Sequence, residues 1–166
     1  LLKVKDGIPT MDLNEGLALA GFGGACFLTA CSGAFFRPGP WYEDLRKPSW
    51  NPPNWLFGPA WTVLFIMIAV SGWLVWKQVG LAGGVLAFTV YGVQLVLNFI
   101  WSGLFFGLKR MDIAFGELVL LWLAIAANII VFWPISETAA WLLVPYLAWV
   151  SFAGVLNFTI WQLNRE

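Results

Sequence analysis

The chain has 166 residues, nine acidic and nine basic side chains, no histidine and a mean hydropathy of +0.79. Only 11% of its residues are charged, against roughly 25% in soluble domains, so it reads as one integral membrane domain. Zero net charge offers nothing to nucleic acid, and the absence of histidine removes the commonest metal ligand and the usual general base at neutral pH.

Residues 1–16 (LLKVKDGIPTMDLNEG) mix charge with Gly7 and Pro9 without periodicity, which predicts a polar leader, and Met11 offers a natural start within it. The stretch 17–36 carries no charged side chain and is long enough to cross a bilayer core of about 30 Å. Gly16, Ala20 and Gly24 recur every four residues, as do Ala30 and Ala34, giving a small-residue stripe that invites close approach by another helix. On this helix Cys26 and Cys31 lie about 7.5 Å apart along the axis and point different ways, which excludes a disulfide between them. Two thiols are also too few for a structural zinc site, so they read as packing residues.

Pro38-Gly39-Pro40 ends the first span. The next stretch, 41–61 (WYEDLRKPSWNPPNWLFGPAW), holds four of the twelve tryptophans and four of the nine prolines. Trp41 to Lys47 suit about two turns of interfacial helix, with Trp41 and Leu45 on the apolar side and Glu43, Arg46 and Lys47 toward water. Pro48, Pro52 and Pro53 lack amide donors and hold their predecessors extended, so a stiff connector follows. Pro53 fits the first turn of the next helix, with Asn51 or Asn54 as candidate caps. Trp41, Trp50, Trp55 and Trp61 then frame an aromatic structure at the membrane boundary, read as the lid and rim of a binding cavity.

The second span covers 55–76, with Pro59 in its first turns, and Lys77 to Gly80 form a turn. The third, 81–108, places Gln94, Asn98 and Trp101 on one face, and amides in lipid are expected to face the bundle interior. Lys109, Arg110 and Asp112 mark the next boundary. The fourth span, 113–133, carries Glu117 one turn inside and Asn128 deeper; Glu117 neutralises a ligand or partner charge, snorkels to the interface or is held protonated. After a turn at 134–138, the fifth span, 139–163, contains Pro145 and aligns Tyr146, Trp149, Ala153 and Asn157 on one face.

The expected fold is an all-α membrane protein, a five-transmembrane-helix bundle within residues 17–164 with a short helical, proline- and tryptophan-rich first connector. Lys3, Lys5 and Lys77 fall on one side, and Arg37, Arg46, Lys47, Lys109, Arg110 and Arg165 on the other. The positive-inside bias places the first connector and the C-terminus in the cytoplasm. The aromatic and amide faces of the third and fifth spans suit a flat aromatic ligand, with interhelical packing as the competing account. Arg46 and Lys47 are positioned to meet a ligand's carboxylates or phospholipid headgroups. No nucleophile–base pair, metal cluster or phosphate loop occurs, so no catalytic residue and no metal site is assigned.

WYEDLRKPSWNPPNW, AWTVLF (60–65), QLVLNFIWSGLFFGLKR (94–110) and WLLVPYLAWVSFAGVLNF (141–158) resemble the TspO/MBR family of tryptophan-rich sensory proteins and translocator proteins, also called peripheral benzodiazepine receptors. The resemblance covers about residues 17–164. It implies a membrane sensor or translocator that binds a tetrapyrrole such as protoporphyrin IX in an intrabundle cavity closed by the first connector, with no obligatory cofactor. Light- and oxygen-dependent porphyrin degradation is the alternative it carries. By motif position it implies a lining of Trp41, Tyr42, Trp61, Phe65, Asn98, Trp101, Trp149 and Ala153. It also implies a homodimer, for which Gly83 and Ala87 on the third span form a small-residue pair. The sterol-recognition pattern of animal members is incomplete: Leu156 and Phe158 are followed by Gln162 where a basic residue belongs.

Overall fold

The structure, a computed structural model, describes residues 12–165. Helices α1 (Leu13–Phe35), α2 (Pro40–Asp44), α3 (Asn54–Gly83), α4 (Val85–Ser102), α5 (Met111–Phe132) and α6 (Glu137–Leu163) are joined by short connections, with a π-helical turn at Gly103–Gly107 continuing α4. Five of them are long and apolar enough to cross a membrane, α4 together with its π turn counting as one. These five close a ring in the order α1, α3, α6, α5, α4. Ile68, Val75, Ile125, Phe132, Leu143, Tyr146 and Val150 fill the centre, all fully or almost fully buried. A smaller apolar cluster of Tyr42, Phe105, Ala114, Leu156 and Ile160 lies beneath the first connector.

Several helix ends differ from expectation for local reasons. Helix α1 begins at Leu13 inside the expected leader, because the Asp12 carboxylate accepts a hydrogen bond from the Glu15 amide at 2.8 Å and caps the helix. Glu15 then pairs with Lys77 Nζ at 3.0 Å, and its carbonyl accepts the Trp73 indole N–H. The leader reading for residues 1–11 lies outside the described residues. Lys77 is accordingly helical rather than in a turn. The break comes at Gly80, whose φ of 63° and ψ of 178° are open to glycine alone, so residues 81–83 finish α3 and the third span starts at Val85.

In the connector, α2 is a single five-residue turn, not two turns. Pro53 stands at the N-cap of α3 and no side chain caps that end: Asn51 Nδ2 donates to the Pro52 carbonyl instead. The connector end is tied to the far end of the chain. The Arg46 amide donates to Asn164 Oδ1 at 3.0 Å, and Asn164 Nδ2 returns a bond to the Arg46 carbonyl at 2.9 Å. Asn164→Ala is therefore expected to raise amide hydrogen exchange at residues 45–47 selectively, and unchanged exchange there would show the connector to be held by its aromatic contacts alone.

The small-residue readings change. A Cβ added at Gly16 or Gly24 of the α1 stripe would meet nothing within 4 Å, nor would one at Gly23 or Gly33 outside it, so these glycines seat no neighbouring backbone. Ala87 is 2% exposed and packed in the core, while Gly83 is exposed at the end of α3, so the two stand on different helices rather than on one stripe of the third span. The outward row on α4 is Leu86, Val93, Val96 and Ile100.

Candidate functional site

A cleft of about 970 Å³ opens between α1 and α3, with α4 as its floor. Such a void fits the range of roughly 300–1,000 Å³ usual for small-molecule sites. It forms because α1 is held tightly over only part of its length. Near the Glu15 end, Phe22, Gly72 and Tyr91 interlock: the Phe22 and Tyr91 rings meet edge-on at 5.6 Å, and a Cβ on Gly72 would lie 2.7 Å from Phe22. Tyr91 is fixed in turn by donating to the Ile68 carbonyl at 3.1 Å, with the Cys26 thiol 3.5 Å from its hydroxyl. Toward the connector, Gly23, Ala30 and Gly33 face Phe57, Trp61 and Phe65 across open space. Phe27 and Ile66, 68% and 59% exposed, stand at its bilayer-facing lip.

Beneath the connector lies a second void of about 130 Å³, and Phe57, Trp61, Trp101 and Ser102 line both. Of the residues implied by motif position, Trp61, Phe65, Asn98 and Trp101 line the main cleft, while Tyr42, Trp149 and Ala153 line the smaller void with Trp61 and Trp101. Trp41 lines neither. It packs edge-on against Phe105 at 6.1 Å, with Lys109 Nζ 5.8 Å from its ring.

Trp61 is the hub of the aromatic wall. It stacks on Phe65 at 5.4 Å and meets Tyr146 and Trp149 edge-on at 6.2 and 6.4 Å. Asn98 Nδ2 donates to the Tyr146 hydroxyl at 2.6 Å, which leaves the Asn98 carbonyl as an acceptor on the cleft. The buried Trp101 indole N–H has no partner among the described residues. The site therefore offers flat aromatic walls with few polar groups between them, the Asn98 carbonyl among these.

The lid is built from both chain-local and distant contacts. Tyr42 is 4% exposed, packs on Phe105 and Phe106, and donates from its hydroxyl to Asn51 Oδ1 at 3.3 Å. Burial pushes its hydroxyl pKa up, with the Asn51 bond working against that shift. The π turn brings Phe105 and Phe106 beneath the lid: Leu108 N donates to the Gly103 carbonyl five residues back, and Gly107 lets the Phe36 ring approach.

Gln94 faces the bundle interior as expected, and the ligand-facing readings of Gln94, Glu117 and the connector cations are refined. Gln94 is 1% exposed and lines neither void, and both polar atoms of its amide lack a partner among the described residues. Glu117 is 8% exposed with both carboxyl oxygens unpartnered among the described residues, so it is buried rather than snorkelling. Arg46 and Lys47 do not line the cleft: Lys47 Nζ donates to the Glu43 and Leu45 carbonyls and lies 4.7 Å from the Tyr42 ring. What sequence reasoning missed is the α1 wall with Arg37 at its end; the glycine and alanine spacing was the available signal, read as packing.

Comparison with known proteins agrees with this architecture. The TspO/MBR family model matches residues 22–162. The chain is 43% identical over 144 residues to protein CrtK of Rhodobacter capsulatus, covering 84% of this chain and 88% of that one. It is 45% identical over 148 residues to the tryptophan-rich protein TspO of Chlorobaculum tepidum, covering 85% and 92%. With the human translocator protein it shares 40% identity over 127 residues, 75% of each chain. The chain thus belongs to the TspO/MBR family of membrane-embedded translocator and tryptophan-rich sensory proteins.

Proposed function

We propose that this protein is a membrane tetrapyrrole-binding sensor or translocator that holds protoporphyrin IX, or a similar planar apolar molecule, in the cleft between α1 and α3. The observation that carries the reading is the cleft itself, about 970 Å³ with Trp61, Phe65 and Trp101 as flat walls and the Asn98 carbonyl among them. Aromatic walls favour stacked or edge contact with a conjugated ring, and a buried acceptor matches a pyrrole N–H. The 130 Å³ void alone is too small for such a guest. In the same reading the connector end faces the cytoplasm, where six of the nine basic residues gather.

The test is a titration of the purified protein in phosphatidylcholine nanodiscs with protoporphyrin IX, read by tryptophan quenching and by the porphyrin absorption band. Saturable binding is expected. Gly33→Leu adds a side chain where a Cβ meets nothing within 4 Å. It is expected to leave the melting temperature unchanged while weakening binding by about tenfold or more, since the isobutyl group occupies the guest's space. Wild-type affinity in this variant would place the porphyrin elsewhere.

A further inference from the structure

Arg37 stands at the connector end of the cleft. It follows the last turn of α1, where its Nε donates to the Ala34 carbonyl at 2.8 Å. That bond aligns the guanidinium along the helix end and uses one of its five N–H donors. The two terminal nitrogens make no hydrogen bond or ion pair among the described residues, and Arg37 is the one cation in the lining of either void. Among the described residues no acidic side chain shares that lining.

The other described basic side chains around the bundle are placed elsewhere. Lys77 is paired with Glu15, Arg110 with Asp112, and Lys47 is held by two carbonyls. Lys109 and Arg165 lie over the rings of Trp41 and Trp161. Arg46 is not among the lining residues. The cleft is thus mostly apolar and uncharged from Leu19 and Val70 up to Trp61, and ends at a guanidinium beside Pro38 and Asn54.

We propose that Arg37 is the anion-reading residue of this cleft: it holds a carboxylate carried at one end of an otherwise apolar guest, whose body lies along Trp61 and Phe65. This deepens the tetrapyrrole reading and rests on it, since protoporphyrin IX bears its carboxylates on one edge of an apolar ring. A guanidinium fork matches a carboxylate through two parallel N–H···O bonds, a geometry that an ester cannot reproduce as an anion. The guest is then oriented with its charged edge at the connector end and its hydrocarbon edge toward the Phe22–Gly72 contact. The bilayer-facing lip at Phe27 and Ile66 lets such an amphiphile slide in with its acid group at headgroup level.

The experiment compares protoporphyrin IX with its dimethyl ester in neutral phosphatidylcholine nanodiscs, using the wild type, Arg37→Gln and Arg46→Gln. The wild type is expected to prefer the free acid by about tenfold, equivalent to about 1.4 kcal/mol. Arg37→Gln should bring the two affinities within about twofold by weakening the acid alone, and Arg46→Gln should keep the wild-type preference. Equal binding of acid and ester by the wild type, or loss of the preference in Arg46→Gln but not in Arg37→Gln, overturns the assignment while leaving the cavity reading intact. Failure of the wild type to bind either compound overturns the cavity reading itself. Replacing part of the phosphatidylcholine by phosphatidylglycerol separates the two sources of anion. Persistence of the preference places the guanidinium on the guest, and its disappearance assigns Arg37 to lipid headgroups and overturns the proposal.

Discussion

Trp61→Ala is expected to weaken protoporphyrin IX binding about a hundredfold, the largest loss from any one side chain of the site. Trp61 lines both voids and touches Phe65, Tyr146 and Trp149, so its removal takes away the stacking surface and also loosens its neighbours. Buried tryptophans that anchor a binding surface commonly contribute at least about 2 kcal/mol each, and about 2.7 kcal/mol corresponds to the hundredfold effect. Trp61→Phe keeps a ring and should lose only a few-fold. Trp133 is 45% exposed and packs against Trp141 outside both voids, so Trp133→Phe serves as the control for lost fluorescence. The porphyrin absorption band gives an affinity independent of tryptophan count. Matching affinities in Trp61→Ala and Trp133→Phe would remove Trp61 from the site.

The second large effect concerns stability. Gly72→Val places a branched side chain where even a Cβ would lie 2.7 Å from Phe22 and 2.9 Å from Tyr91. Both rings are held by other contacts: Phe22 is 5.7 Å from Phe88, and Tyr91 stacks on Phe132 at 6.0 Å while donating to the Ile68 carbonyl. With little room to yield, the overpacking should cost about 2 kcal/mol, or roughly 4–8 °C in melting temperature for a domain of this size. Gly23→Val makes the same chemical change on α1 facing open space and should leave the melting temperature in place. Equal destabilisation by both would mean that the cost arises from helix propensity rather than from the three-helix contact.

The architecture was legible because charge, proline and apolar run length act locally. Each uncharged stretch of membrane-spanning length became a helix, and Pro38, Pro48, Pro52 and Pro53 interrupted helices as their missing amides require. The helix ends at Asp12 and Gly80 depend on single side chains and on one glycine torsion, signals present in the chain but outweighed by composition in the reading. The α6 face was also legible: Tyr146 and Asn157 are buried, and Trp149 and Ala153 line the smaller void.

The position of the cavity was not legible. Small residues on a membrane helix permit either close packing or empty space, and only the neighbour's placement decides between them. Here Phe22 and Gly72 bring α1 and α3 together near one end, and the glycines beyond that contact face nothing. Arg37 likewise looked like a boundary charge. Its role depends on Trp61 and Asn54 standing across the cleft, a relation between residues far apart in the chain. The π turn at Gly103–Gly107 left no sequence signal beyond its two glycines and its run of aromatic residues.

The ring order bears on how the chain assembles. Helices α3 and α5 become neighbours of a common partner only when α6, the last to leave the ribosome, inserts between them. Until then the four earlier spans form an open arc in which Asn98 lacks the Tyr146 hydroxyl, its hydrogen-bond partner on α6. A biosynthetic intermediate halted before Glu137 would therefore expose this amide to lipid and become a substrate for membrane quality control, whereas completion of the C-terminal helix withdraws that signal.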